Sequence, residues 1–225
     1  MHENKQITAF GKIAVFAAFV VFAALPAVYF IVPLIETDLT RTSEPNRCGC
    51  DGTADSCKTV SIGGQTWMAE NLNYQTNRGS WCYNDAQLFC KKYGRLYNWE
   101  AATAACPKGW RLPSLLEWES LVTATGEWRT AAKKLKSKKG WDENGNGTDD
   151  FGFSALPGGY RNYYNPGRSS WFRDVGGYGK WWTATENGAD NAYSRGMSYQ
   201  DGNVTVGFNY EYKIYGYSVR CVADK

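Results

Sequence analysis

An acidic, glycine-rich segment at residues 142–150 carries oxygen-bearing side chains at spacings that suit a hard cation. If Asp142 is counted as the first position of a calcium loop, oxygen ligands fall at positions 1, 3, 5 and 9, with glycine at position 6. Position 12 is Phe153 instead of the bidentate glutamate, so the segment is not an EF-hand. It predicts a structural calcium site, and the alternative is a turn held by hydrogen bonds from Asx side chains to the backbone. The candidate ligands are Asp142, Asn144, Asn146, Asp149 and Asp150.

Carboxylates could also hydrolyse glycosidic bonds, which requires only two of them at a suitable separation. The domain offers several, but their spacing selects no pair: Glu70, Glu117, Glu119, Glu186 and Asp190. The single histidine, His2, precedes a long apolar run, so the globular part has no imidazole. This excludes Ser-His-Asp and Cys-His catalysis and most zinc sites. We therefore expect a protein that is not an enzyme and needs no cofactor beyond structural calcium, and a carboxylate-pair glycoside hydrolase is the alternative.

Aromatic side chains dominate the glycine-rich second half of the chain. Residues 187–217 are rich in Tyr, Asn, Ser and Gly, a composition that gives antibody paratopes rigid contact area and adaptable hydrogen bonding. Aromatic faces can also pack on sugar rings. The sequence thus predicts a surface that binds a glycan or a protein, although half or more of these aromatics are expected to pack the loops. The candidate residues are Tyr160, Arg161, Tyr163, Tyr164, Trp171, Tyr178, Tyr193, Arg195 and Tyr199.

The charge distribution argues against nucleic acid as a partner. The formal net charge is only +3, too small for a basic face that follows phosphates. One basic run, formed by Lys133, Lys134, Lys136, Lys138 and Lys139, is interpreted as the solvated face of a short helix, and contact with acidic polysaccharide or lipid headgroups is the alternative.

Periodicity and turn residues place these candidates on a mixed set of elements. Residues 58–68 predict a β-hairpin that turns at Gly63 and Gly64. Four helices are predicted at 84–93, capped by Asn84, at 98–105, at 114–125 with a Ser114–Glu117 capping box, and at 127–139. Strands are predicted at 181–185, 193–199, 204–210 and 217–222. Helices first and a twisted antiparallel sheet last predict an α+β domain.

The N-terminal region predicts a membrane anchor. Residues 13–35 form an uncharged apolar stretch of 23 residues, long enough for a helix of roughly 20 residues to cross a bilayer. Lysines precede it and acidic residues follow, which places residues 1–12 in the cytoplasm and the rest outside. A cleaved signal peptide is the alternative, and a pilin-like segment is a lesser one. Residues 36–47 predict a polar stalk, and the domain spans 48–225.

Seven cysteines indicate an oxidising compartment, either the periplasm or the cell surface. Cys82 and Cys90 flank the start of the first predicted helix and are expected to form a local bridge. Cys57 can pair with Cys48 or Cys50, which leaves one of these two unpaired or available to link neighbouring anchored chains in a homo-oligomer.

Seven motifs in unbroken order, spanning about residues 51–224, resemble a known family. They are residues 65–73 (QTWMAENLN), 93–97 (YGRLY), 106–113 (CPKGWRLP), 144–153 (NGNGTDDFGF), 159–162 (GYRN), 182–186 (WTATE) and 218–221 (SVRC). The family is the Fibrobacter succinogenes major paralogous domain, which is similar in turn to the formylglycine-generating-enzyme and C-type-lectin-like folds.

The resemblance implies a C-type-lectin-like fold, a bacterial envelope protein and no established activity. Such a fold would bring the last strand beside the Pro107–Trp110 turn, so a Cys106–Cys221 bridge is expected. Formylglycine-generating enzymes bind copper through a late cysteine pair, and residues 193–207 contain no cysteine, so that chemistry does not carry over. Together these expectations describe a membrane-anchored, extracytoplasmic adhesion module, with a structural envelope subunit as a further alternative.

Overall fold

The computed structural model describes residues 57–162, 171–200, 204–205 and 211–224. These residues form four α-helices and thirteen short strands, which confirms the predicted α+β class. Within this part of the chain no helix is long and apolar enough to cross a membrane. The predicted anchor at 13–35, the stalk at 36–47, and Cys48 and Cys50 lie outside the described residues.

Two of the four helices begin where a side chain accepts a hydrogen bond from one of their first backbone N–H groups. Asn98 accepts a hydrogen bond from the Ala101 backbone N–H, 2.9 Å away, and Ser114 and Glu117 form the predicted capping box. The predicted cap at Asn84 is wrong, because Asn84 has a left-handed φ of 51° in a 3₁₀ turn and the helix starts beyond it. The helices are α1 (Gln87–Tyr93), α2 (Trp99–Ala105), α3 (Leu115–Ala124) and α4 (Trp128–Leu135), and the 3₁₀ turn is Tyr83–Asp85.

Eleven of the thirteen described strands are two to four residues long, and five of the ten strand pairs join strands that are not consecutive in the chain. The first seven are β1 (Thr59–Ile62), β2 (Gln65–Met68), β3 (Ser80–Trp81), β4 (Leu96–Tyr97), β5 (Trp110–Arg111), β6 (Tyr160–Arg161) and β7 (Phe172–Arg173). The remaining six are β8 (Tyr178–Glu186), β9 (Asn191–Ser198), β10 (Val204–Thr205), β11 (Glu211–Tyr212), β12 (Tyr217–Ser218) and β13 (Val222–Ala223).

A small sheet joins the two ends of the domain in the order β1-β2-β13-β5. Val222 pairs with Trp67 on one side and with Arg111 on the other. The predicted single strand at 217–222 is therefore wrong, because the chain leaves one sheet after Ser218 and enters the other at Val222. The predicted hairpin around Gly63 and Gly64 is confirmed.

The larger sheet runs in the order β10-β9-β8-β12-β4-β3, and β11 also pairs with β9. Its pairs are antiparallel except for β12 with β8, where Ser218 pairs with Trp181 in parallel. The β6–β7 hairpin is separate, but Arg161 forms an isolated bridge with Gly216, which directly precedes β12. This bridge positions the hairpin beside the larger sheet.

Aromatic side chains fill two main core clusters. In the first cluster, the ring centroids of Trp67 and Trp118 lie 5.1 Å apart. In the second, those of Trp182 and Tyr217 lie 4.5 Å apart. The fully buried Arg220 donates to Asn71 Oδ1 at 2.9 Å and to the carbonyl of Phe153. A buried charge of this kind needs such acceptors, because desolvation is otherwise unfavourable.

Two disulfide bonds cross-link the domain, Cys82–Cys90 and Cys106–Cys221. Both pairings were predicted and both are confirmed. The second links the end of α2 to the residue before β13 across a sequence separation of 115. It therefore closes most of the domain into one covalent loop.

Candidate functional site

The β6–β7 hairpin brings together three of the predicted binding residues. Arg161 pairs with Phe172, and Tyr160 pairs with Arg173, so Trp171 lies next to Arg161 at the end of the strand pair from which the chain runs from one strand to the other. The Asn162 backbone N–H donates to the Trp171 carbonyl at 2.9 Å, which fixes this end. Tyr163 and Tyr164, also predicted, lie outside the described residues.

Two indole rings cover the guanidinium of Arg161. Its central carbon lies 4.1 Å from the ring centroid of Trp81 and 4.5 Å from that of Trp171. These distances are within the range of cation–π attraction. We call Trp81, Arg161 and Trp171 the Trp–Arg–Trp cluster. Trp171 is 38% exposed, so the cluster reaches the surface of the protein.

The backbone around Gly216 permits this arrangement. Arg161 and Gly216 exchange two backbone hydrogen bonds, of 2.9 and 2.7 Å. A Cβ atom at Gly216 would lie 2.9 Å from the Cβ of Arg161 and 3.4 Å from an indole carbon of Trp81. Glycine is therefore required for the close approach of strand and hairpin that positions Arg161.

Tyr160 faces the other side of the hairpin and has a structural environment. Its ring contacts Tyr217 at a centroid distance of 6.1 Å, and the Lys180 ammonium lies 4.7 Å from its centroid. Burial, together with the nearby Asp174 carboxylate, raises the pKa of Tyr160. Lys180 is in turn paired with Glu211 at 3.0 Å. Tyr160 thus supports the hairpin from within the fold.

The predicted binding residues on or directly after β8 and β9 are half-buried or buried. Tyr178, Tyr193 and Tyr199 are half-buried, and Tyr199 packs against the first core cluster. Arg195 is 1% exposed and donates to Glu119 at 3.1 Å, so it lies inside the protein and cannot form part of a binding surface. Burial lowers the pKa of Arg195, and the Glu119 carboxylate opposes that effect.

Two exposed apolar residues were not predicted from the sequence: Tyr212, the last residue of β11, and Ile214, between β11 and β12. Tyr212 is 53% exposed and Ile214 is 59% exposed. Between them, the Lys213 ammonium lies 2.6 Å from Glu186 Oε2 and 4.6 Å from the ring centroid of Trp99. Lys213 therefore holds this loop against the end of β8 while its apolar neighbours point outward. Exposed apolar residues mark a contact surface when they form a contiguous patch, and sequence spacing alone does not show which residues do so.

The candidate calcium segment uses several of its oxygens within the fold. Asn146 Oδ1 accepts from the Trp141 backbone N–H at 3.0 Å, and Asp149 Oδ1 accepts from the Ser154 backbone N–H at 2.7 Å. These are the Asx hydrogen bonds that the alternative interpretation expects. Among the described residues, no group of three or more His, Cys, Asp or Glu side chains has the geometry to hold a metal ion.

Four of the five candidate hydrolytic carboxylates form ion pairs with different cations. Glu70 pairs with Lys58, Glu119 with Arg195 and Glu186 with Lys213. Glu117 receives two hydrogen bonds from Arg111, of 2.5 and 2.6 Å, which lower its pKa to about 2. A general acid in glycoside hydrolysis needs a raised pKa, so Glu117 is unsuited to that role.

The basic run at residues 133–139 is only partly solvated. Lys133 is exposed on α4, and Lys138 and Lys139 are exposed but lie beyond the end of the helix at Leu135, so the predicted helix extends too far. Lys136 is 3% exposed and donates to the Ser198 carbonyl at 3.0 Å, so the prediction of a solvated side chain is wrong there. It joins the end of α4 to β9.

Comparison with protein families confirms the resemblance seen in the motifs. The model of the family described as Fibrobacter succinogenes major domain matches residues 60–223, which is most of the chain. Comparisons with curated proteins and with solved structures found no match.

Proposed function

The chain belongs to the Fibrobacter succinogenes major domain family, and we propose that it is a non-catalytic, extracytoplasmic binding module that recognises a glycan or a protein. The anchor at residues 13–35 would hold it to the membrane of a bacterial cell, with the domain in the periplasm or at the cell surface. Two disulfides support this location, because such bonds persist in oxidising compartments.

The Trp–Arg–Trp cluster is the observation that carries the proposal. Aromatic and arginine side chains are the residues that most often dominate binding energy at interfaces. Here an indole that is 38% exposed lies against a guanidinium on a hairpin held by backbone hydrogen bonds to Gly216. A contact surface of this kind is positioned before a ligand arrives, which reduces the entropy lost on binding.

We also propose that the domain has the C-type-lectin-like arrangement shared with formylglycine-generating enzymes. Support comes from the small sheet, in which the last strand, β13, lies between β2 and β5. The Cys106–Cys221 bridge fastens this return of the chain. Loops between the two ends would then be presented together, as a binding module requires.

A glycan array and a pull-down on insoluble polysaccharide test the proposed function. Wild-type protein should bind at least one glycan, and Trp171→Ala should weaken that binding by about tenfold or more, as expected when a hot-spot aromatic is truncated. Leu116→Ala is the matched control, because Leu116 is 71% exposed on α3 and its loss should leave binding unchanged. If the Trp171 and Leu116 variants both bind like wild type, the cluster is not the binding surface.

A further inference from the structure

Arg161 differs from Arg111 and Arg195 in having no carboxylate partner among the described residues. Arg111 is bonded to Glu117 at 2.5 and 2.6 Å, and Arg195 is bonded to Glu119 at 3.1 Å. For Arg161 the described residues supply two indole rings but no ion pair and no acceptor for its guanidinium N–H groups. Its charge has lost part of its hydration without gaining a direct ion pair among the described residues.

The electrostatics of the site agree with this description. Desolvation lowers the pKa of Arg161, and the Asp85 carboxylate opposes the change from a distance. Arginine stays protonated at every physiological pH, so the site holds a permanent cation. Asp85 itself is exposed and makes no ion pair within the described residues.

The two indoles also fix the orientation of the guanidinium. A planar guanidinium whose faces contact aromatic rings can make hydrogen bonds only through its N–H edges. That edge is a fork which matches a carboxylate with two parallel hydrogen bonds. Because the guanidinium carbon already lies 4.1 and 4.5 Å from the two ring centroids, little further ordering is needed when a carboxylate binds.

We infer that the Trp–Arg–Trp cluster binds an acidic polysaccharide, with the N–H edge of Arg161 on a sugar carboxylate and the exposed part of Trp171 against the sugar ring. This inference rests on the proposed function and names its ligand class. A sugar is favoured over an acidic peptide because the exposed surface beside the fork is a flat indole, which packs on the apolar face of a ring.

Binding of two matched polymers to the full chain in mild detergent tests the inference without any mutation. Polygalacturonate presents a carboxylate on each sugar, and its methyl ester presents the same sugars without charge. We expect the acid to bind at least tenfold more tightly than the ester. Poly-L-glutamate is the charge-matched polymer without sugar rings, and it should bind no better than the ester.

Substitutions then assign the effect to Arg161. Arg161→Gln should weaken polygalacturonate binding about 10- to 100-fold and leave ester binding unchanged, because a charge-assisted bidentate contact is lost. Arg161→Lys keeps the charge but not the fork, so it should recover only part of the affinity. Asp85→Asn should tighten binding of the acid, since it removes a repulsive carboxylate. Near-ultraviolet circular dichroism checks that each variant is folded.

The outcomes separate this inference from the proposed function. Equal binding of acid and ester would overturn the acidic ligand and leave a glycan-binding module. Equal binding of polygalacturonate and poly-L-glutamate, with the same dependence on Arg161, would overturn the sugar as the carrier of the carboxylate. If wild-type protein binds none of the three polymers, the inference is overturned. If it also binds no glycan on the array, a glycan is not the ligand of the proposed binding module.

Discussion

The Cys106–Cys221 bridge should contribute more stability than the Cys82–Cys90 bridge, by an amount set by loop length. In the chain-entropy model, a cross-link restricts the unfolded chain more strongly as the loop it closes becomes longer. The sequence separations are 115 and 8. These correspond to about 4.8 and about 2.5 kcal/mol at 25 °C, a difference of about 2.3 kcal/mol.

Two double-alanine variants measure this difference. Cys82, Cys90 and Cys221 are all less than 5% exposed, so alanine removes the sulfurs without adding a polar group to the core. Urea unfolding followed by tryptophan fluorescence gives the free energy of unfolding of each variant. With an m-value of about 2 kcal/mol/M, the midpoint for Cys106→Ala/Cys221→Ala should lie about 1 M below that for Cys82→Ala/Cys90→Ala. An equal or larger loss in the Cys82–Cys90 variant would refute the loop-length reasoning.

Three further predictions concern individual side chains. The pKa of Glu117 is lowered from 4.5 to about 2, so its pairing stabilises the fold above pH 4.5 and is lost as the pH falls towards 2. The free energy of unfolding, measured by urea titration, should therefore fall between pH 7 and pH 2.5 by about 2 to 3 kcal/mol more in wild type than in Glu117→Gln. An equal fall in both proteins would contradict the pairing. Lys136→Ala should lower the free energy of unfolding by about 1 to 3 kcal/mol, whereas Lys138→Ala should change it by less than about 0.5 kcal/mol. Similar decreases in the two variants would mean that Lys136 is not buried. If residues 142–150 bind calcium, the melting temperature should be higher in calcium than in chelator, and an unchanged melting temperature would remove that site.

Local features of the fold could be predicted from the sequence because their causes are local. The capping box from Ser114 to Glu117 depends on residues three apart, and it forms as predicted. The hairpin at Gly63 and Gly64 is likewise specified by its turn. Asn84 shows the limit of this reasoning, because an asparagine suits both a helix cap and a left-handed turn, and the structure uses it in the turn.

Long-range pairing decided the features that could not be predicted. Arg195 was predicted as a binding residue together with Tyr193 and Tyr199. Both faces of β9 are largely covered, so the alternation of side chains along this strand does not separate buried from exposed residues. The predicted strand at 217–222 divides because β12 pairs with β4 and β8 in the larger sheet, whereas β13 pairs with β2 and β5 in the small sheet.

The candidate site shows the same division between local and long-range information. Arg161 and Trp171 were predicted as binding residues from composition. Trp81 was not, because it lies 80 residues away on β3 and reaches Arg161 only through the pairing of β3, β4 and β12. Nothing in the spacing of the sequence connects Trp81 to the hairpin.

Resonances of the tryptophan indole N–H groups during titration with oligogalacturonate test the central claim most directly, because they report the position of the ligand. The indoles of Trp81 and Trp171, which contact Arg161, should shift with ligand concentration. Those of Trp67 and Trp118, which are fully buried in the first core cluster, should not move. Saturable shifts confined to Trp81 and Trp171 are the result that this account predicts. Binding that leaves both resonances unchanged would contradict it.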